Sequence, residues 1–306
     1  MRAARVATMG NFLTSGPASA TLATALATVA VLILAAQHWR LRGTTLIAPW
    51  AWAMLAISAI GAVEALVRLH ADVAEPAWAR PLRFVVAVTS FCPLMALLGA
   101  KRPQDRAWQF IVLSLWLVLA LPGIEWLLMG VSRAQELHPA RVAFLITLAM
   151  IGALNVLPTR FWPAGLLCLA AQAALLGPYV PLGAPVTATT GPLWGLALAL
   201  AAISLVSAGV PRRPRVSHAL DRAWLDFRDA WGTAWALRVI QRVNASSSMY
   251  GWNVVLAWHG FQSVDGAPLE HADPRIVVAV GDMLKTPLRR FVSPDWISQR
   301  LDQPLQ

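Results

Sequence analysis

Seven long apolar stretches, each bounded by charge or proline, set the terms for any fold this chain can adopt. They cover residues 18–37, 45–67, 84–100, 108–129, 142–157, 162–179 and 192–210. A bilayer hydrocarbon core about 30 Å thick takes roughly 17 to 25 apolar residues in helical form. The pattern therefore predicts an all-α polytopic membrane protein of about seven transmembrane helices. The third and fifth stretches are short, and Pro93 inside the third predicts a kink or a partly re-entrant segment there. Only 13% of the residues are charged and 58% are hydrophobic, against about 25% charged in ordinary soluble domains. This excludes a simple cytosolic enzyme.

Beyond residue 210 the chemistry changes. Nine of the 15 acidic residues lie there, so the chain divides into a transmembrane domain, 1–210, and a small soluble α+β tail, 211–306. The tail opens on a predicted amphipathic helix over 217–244, capped by Ser217, with Leu220, Trp224, Phe227, Trp231, Trp235, Val239 and Val243 along one face. A strand is predicted over 252–259, with a turn at Asp265-Gly266. The pairs Asp273-Pro274, Thr286-Pro287 and Ser293-Pro294 each place a good N-cap before proline and predict three short helices, the first presenting Ile276, Val280 and Leu284.

The net charge of +10 is that of loop residues holding orientation, so no nucleic-acid partner is implied. The lipid bilayer is the expected partner. Counting basic residues by side in a seven-span layout sets Arg2, Arg5, Arg68, Arg80, Arg83, Arg133 and Arg141 against Arg40, Arg42, Lys101, Arg102, Arg106, Arg160, Arg212, Arg213 and Arg215. The second set is larger, which predicts an external amino terminus and a cytoplasmic tail. Residues 1–36 mimic a signal peptide, but the apolar stretch is long and no A-x-A stands at its end before Gln37, so it is read as an uncleaved first span. Lysine occurs only at 101 and 285 while arginine, alanine and proline abound. We read this as the coding bias of a GC-rich bacterium, and the membrane as its inner membrane.

Two acids, Glu64 and Glu125, fall within apolar stretches. A charge in hydrocarbon is costly and marks a partner or a water-filled cavity. Both spans run in the same direction, which puts the two glutamates in the same half of the bilayer, with Gln172 at a similar depth. The candidate site is accordingly Glu64, Glu125 and Gln172, with Arg68, His70 and His138 at its mouth, suited to a cation, a proton relay or a polar headgroup. The alternative is that Glu64 pairs with Arg68 at i+4 and Glu125 reaches water near Gly130. Asn155 is expected to make a helix–helix hydrogen bond.

Cys92 and Cys168 sit in apolar runs and imply neither a disulfide nor a metal centre. The six histidines show no H-x-x-x-H or H-E-x-x-H spacing, so no zinc site is expected. Two loop histidines are enough to ligate haem from outside, but no cofactor is predicted. The run Trp231-Gly232-x-x-Trp235 resembles the opening of the tryptophan-rich motif of haem-handling cytochrome c maturation proteins; the resemblance spans five residues and lacks the Trp-Asp that should follow. Packing within the tail accounts for the same tryptophans. No G-x-x-x-x-G-K-[ST], G-x-G-x-x-G or G-x-S-x-G occurs. The order of expectation is a non-catalytic membrane subunit or assembly partner that docks other protein subunits through its tail, then a transporter using Glu64 and Glu125, then a haem- or quinone-handling protein.

Overall fold

The structure, a computed structural model, describes residues 16–70, 75–129, 137–180, 187–213, 216, 218–264 and 274–301. It is overwhelmingly helical. In the first part run α1 (Gly16–Ala36), the single turn α2 (His38–Leu41), α3 (Ile47–Leu69), α4 (Ala79–Val88), α5 (Cys92–Leu98), α6 (Trp108–Met129), α7 (Pro139–Val156), α8 (Trp162–Leu176) and α9 (Gly191–Ser207). The tail holds α10 (Ala219–Met249), the strands β1 (Val254–Ala257) and β2 (Gly260–Ser263), α11 (Pro274–Leu288) and α12 (Pro294–Leu301).

Five helices are long and apolar enough to cross a membrane: Ala18–Ala36, Ile47–Leu69, Ala79–Leu98, Trp108–Met129 and Pro139–Val156. The expected sixth and seventh are shorter, α9 having 17 residues and α8 having 15, the latter extended by a 3-10 turn over Gly177–Tyr179. Five spans, not seven, therefore meet the length criterion. The predicted break at Pro93 is present as a 3-10 turn, Thr89–Phe91, that joins α4 to α5 and leaves Pro93 near the start of α5. One boundary was misplaced. The third helix begins at Ala79 rather than at 84, so Arg80 and Arg83, expected in a loop, lie inside α4.

Side chains facing outward from these helices are large and apolar, among them Leu32, Phe110, Val118, Leu128 and Leu154. Those facing inward include many alanines alongside Ile60, Phe84, Phe91 and Leu196. Ala23, Ala27 and Ala30 of α1 are buried against α3, where a Cβ on Gly61 would lie 2.3 Å from the Cβ of Ala27. With lipid as apolar as the side chains, such close approach is what holds membrane helices together. Exposed tryptophans mark both ends of the bundle, Trp39 and Trp162 at one and Trp194 at the other, as expected for aromatic residues at headgroup level.

The tail seats on one end of this bundle. Its core, built on Trp224, Phe227, Trp231, Trp235, Phe291 and Trp296, is continuous with Leu46, Leu97 and Ala100 of the bundle. The tryptophan face predicted for α10 is thus buried, but two of its members also reach into the bundle: Trp231 Nε1 donates to Thr45 Oγ1 at 3.2 Å and Trp235 Nε1 to Leu97 O at 2.9 Å. Backbone bonds add to the seam, with Thr45 donating to Phe291 O at 2.9 Å, Arg102 to Arg290 O at 2.8 Å and Ser293 to Gly43 O at 2.7 Å.

Local structure in the tail differs from expectation in three respects. First, α10 is capped by His218, whose Nδ1 accepts the Leu220 N–H; Ser217 lies outside the described residues. It extends to Met249 and breaks at Gly232 (φ 77°, ψ −175°). Second, the predicted strand is half of an antiparallel hairpin in which Ala257 pairs with Gly260, so the turn falls at Trp258-His259; Asp265-Gly266 lies outside the described residues. Third, two helices close the tail where three were expected, because α11 runs through Pro287. Asp273 is outside the described residues, whereas Ser293 caps α12 as expected, its Oγ accepting the Trp296 N–H. Val280 and Leu284 of the predicted α11 face are fully buried.

Candidate functional site

Glu64 sits one turn and a half before the end of α3, and 0% of it is exposed. A carboxylate there must be neutralised by its neighbours. Arg68 supplies one guanidinium from the next turn of the same helix, its Nε bonded to Glu64 Oε1. Arg83 of α4 supplies the other, donating from Nε to Glu64 Oε2 at 2.7 Å and from Nη2 to Oε1 at 3.2 Å. Arg83 also binds Glu75 through Nη1. Arg68 continues to the carbonyl of Thr189, just ahead of α9. Both oxygens of Glu64 are therefore engaged, and the network ties α3, α4 and the chain entering α9 together at the end remote from the tail.

Beside Glu64 is a recess bounded by Ile60, Arg83, Val86, Tyr179 and Pro192. Its free volume is about 10 Å³, room for a single water. Tyr179 closes the recess, its hydroxyl donating to Arg80 O at 2.9 Å and its ring edge-on to Phe84 with centroids 5.1 Å apart.

The other expected members are dispersed. Glu125 is half-buried near the same end of the bundle and forms no ion pair among the described residues. Gln172 donates from Nε2 to Ser90 O at 3.4 Å, at the level of the 3-10 turn. His70 closes α3, its Nδ1 2.9 Å from Leu66 O and its ring edge-on to Trp78. His138 is the N-cap of α7, accepting the Ala140 N–H at Nδ1. Of the expected set the structure joins Glu64 and Arg68 only, and it adds Arg83 and Glu75. A signal for Arg83 existed in the sequence: it precedes the third apolar stretch by one residue, and a buried glutamate calls for a cation.

A second polar constellation lies where tail meets bundle. Asn155, expected to bond between membrane helices, instead accepts the Ala234 N–H at Oδ1 (3.0 Å), while its carbonyl accepts from Thr233 Oγ1 at 3.1 Å. Close by, Asp229 faces Arg160 at 3.2 Å, Arg213 at 3.1 Å and Arg228 at 2.7 Å. Burial pulls the Arg160 guanidinium below its ordinary value, and the positive charge of Arg213 beside it acts in the same direction.

Among the described residues no group of three or more His, Cys, Asp or Glu is placed to hold a metal ion. Trp231 and Trp235, which carry the five-residue resemblance, are core residues of the tail seam. No protein-family model, curated protein or solved structure matches the chain.

Proposed function

We propose that this chain is a multi-pass protein of a bacterial inner membrane, a non-catalytic subunit or assembly partner whose tail receives another protein chain. Seven crossings, with the tail in the cytoplasm, are part of this reading. Its support is that loops 42–46, 99–103 and 157–161 all meet the tail, while Arg68, Arg80, Pro178 and Thr189 gather at the other end. Connections alternating in this way support crossings by α8 and α9 as well.

The observation that carries the partner reading is an apolar knob on the tail. Met249 is 74% exposed, Tyr250 63% and Val264 64%, and the Tyr250 ring stacks on Trp252 with centroids 5.0 Å apart. Val264 ends the neighbouring hairpin, its N–H donating to Asn253 O, one residue from Trp252. Large exposed apolar groups clustered outside the membrane helices mark a protein contact. The tail that carries them is held on the bundle by the bonds described above, so the knob is presented in a fixed position.

The test is site-specific photo-crosslinking in native membranes from positions 250 and 264, with the exposed position 289, just past α11, as control. A discrete adduct from the first two and none from the control supports the reading. Absence of any adduct, with the protein intact, refutes it. Purification in mild detergent gives an independent check: the co-purifying chain should be lost in Met249→Ser/Tyr250→Ser, and a visible absorbance band would redirect attention to a haem or quinone function.

A further inference from the structure

At the seam between bundle and tail, positive charge exceeds negative. Asp229, with only 2% of its side chain exposed, is shared by Arg160, Arg213 and Arg228. Asp226 beside it pairs with Arg213 Nη1 at 2.7 Å and Arg300 Nε at 2.9 Å. Among the described residues four guanidinium groups thus divide two carboxylates. The buried Nε of Arg213 has no acceptor among the described residues. Arg212, next in the chain, is exposed.

The place of this surplus in the fold gives it meaning. Arg160 stands two residues before α8 begins, and Arg212 and Arg213 follow within a few residues of the end of α9. Headgroups occupy a layer about 5 to 7 Å deep on each side of the hydrocarbon, and these arginines are in reach of it. Trp162, exposed at the start of α8, is the kind of side chain that fixes that depth. Arg160 and Arg300 keep 27% and 29% of their side chains exposed, so the cluster opens outward.

We propose that this cluster is a binding site for a phosphate-bearing anion, supplied by the headgroup of an anionic lipid and seated on Arg160 and Arg213 with Arg300 at the rim. Planar guanidinium groups offer paired donors that match phosphate oxygens, and basic pockets beside membrane helices are suited to such headgroups. The bound anion completes the charge balance and pins the tail to the bundle through the lipid. The proposal rests on the apolar helices crossing a membrane but not on which side the tail occupies, nor on the existence of a partner chain.

The experiment uses the full chain in nanodiscs of phosphatidylcholine alone or of phosphatidylcholine mixed with phosphatidylglycerol, read by thermal unfolding and by native mass spectrometry of retained lipid. Wild type should retain phosphatidylglycerol and unfold at a higher temperature in its presence. Arg160→Gln and Arg300→Gln should each weaken retention by about tenfold, the scale of one lost charged hydrogen bond. Asp226→Asn enlarges the positive surplus and should retain the lipid more tightly than wild type, a gain that impaired folding does not produce. A further arm adds inorganic phosphate to the phosphatidylcholine discs: an equal rise in unfolding temperature there would keep the anion site but assign it to a soluble phosphate. Equal unfolding in both lipid mixtures with no retained lipid, or retention that ignores all three substitutions, would overturn the proposal.

Discussion

Asn155 and Gly232 are in contact across the seam, and the contact leaves no room for a side chain at position 232. A Cβ on Gly232 would lie 2.3 Å from Asn155 Nδ2, and the Gly232 backbone has φ of 77°, a region that side-chain-bearing residues rarely occupy. Gly232→Ala therefore meets both a clash and backbone strain, the latter of about 1 to 3 kcal/mol. Its tail should be cut at Arg238 and Arg242 by trypsin much faster than wild type. Asn155→Ala removes the bond to Ala234 and should cost about 1 to 2 kcal/mol. The double variant should be less impaired than the sum of the two, since the clash with the Asn155 side chain is gone and only that with the residue 155 carbonyl oxygen, at 2.7 Å, remains; strict additivity would show that the side-chain contact is not what limits the site.

Glu64 and Glu125 look alike in the sequence and should behave differently. Glu64→Gln leaves Arg83, 5% exposed, without its main counter-charge, and breaking a buried pair typically costs about 3 to 5 kcal/mol. Glu64→Leu combined with Arg83→Leu should recover part of that loss, because the two most buried charges go together and Arg68, which loses its carboxylate, keeps its bond to Thr189 O. Glu125→Gln, half-buried and outside the cluster, should shift stability by no more than about 0.5 kcal/mol. Denaturant unfolding of the detergent-solubilised protein compares the three directly.

Seven crossings make a labelling prediction. In a background lacking Cys92 and Cys168, Lys101→Cys and Arg212→Cys should react with a membrane-impermeant maleimide from the same side, and His70→Cys and Thr189→Cys from the opposite one. If Thr189→Cys labelled together with Lys101→Cys, α8 and α9 would have to be re-entrant or superficial.

Asp229 is the acceptor that three arginines of the seam have in common. Asp229→Asn should release the tail while leaving the bundle assembled. Hydrogen exchange would show α10 and the hairpin losing protection and α3 retaining it, with a cost on the order of 3 kcal/mol. Uniform loss of protection would mean instead that bundle and tail unfold as one unit.

Much of this arrangement was legible in the residues alone, and the reason is that the signals concerned are contiguous. Hydropathy summed over about 20 residues is insensitive to neighbours far along the chain, so the long helices and the change at residue 210 stand out. The tryptophan face of α10 follows from spacings of three and four, and it is buried as that spacing requires. Ser293 before Pro294 caps a helix for an equally local reason.

What contiguity could not supply, the tertiary structure decided. Arg83 becomes the partner of Glu64 because two helices place residues 19 apart in sequence side by side. Asn155 bonds to the tail, not to another membrane helix, because the break at Gly232 brings the Ala234 N–H to the end of α7. Gln172, His70 and His138, grouped by depth in the sequence reading, each meet a different local acceptor or donor. Depth along a helix is written in residue number, but which side chain faces which depends on helix rotation and on the neighbour across the gap. The apolar pattern by itself therefore determined that the chain is a bundle of membrane-length helices with a polar tail, and packing alone determined that its buried carboxylate is neutralised and its tail fixed to one end.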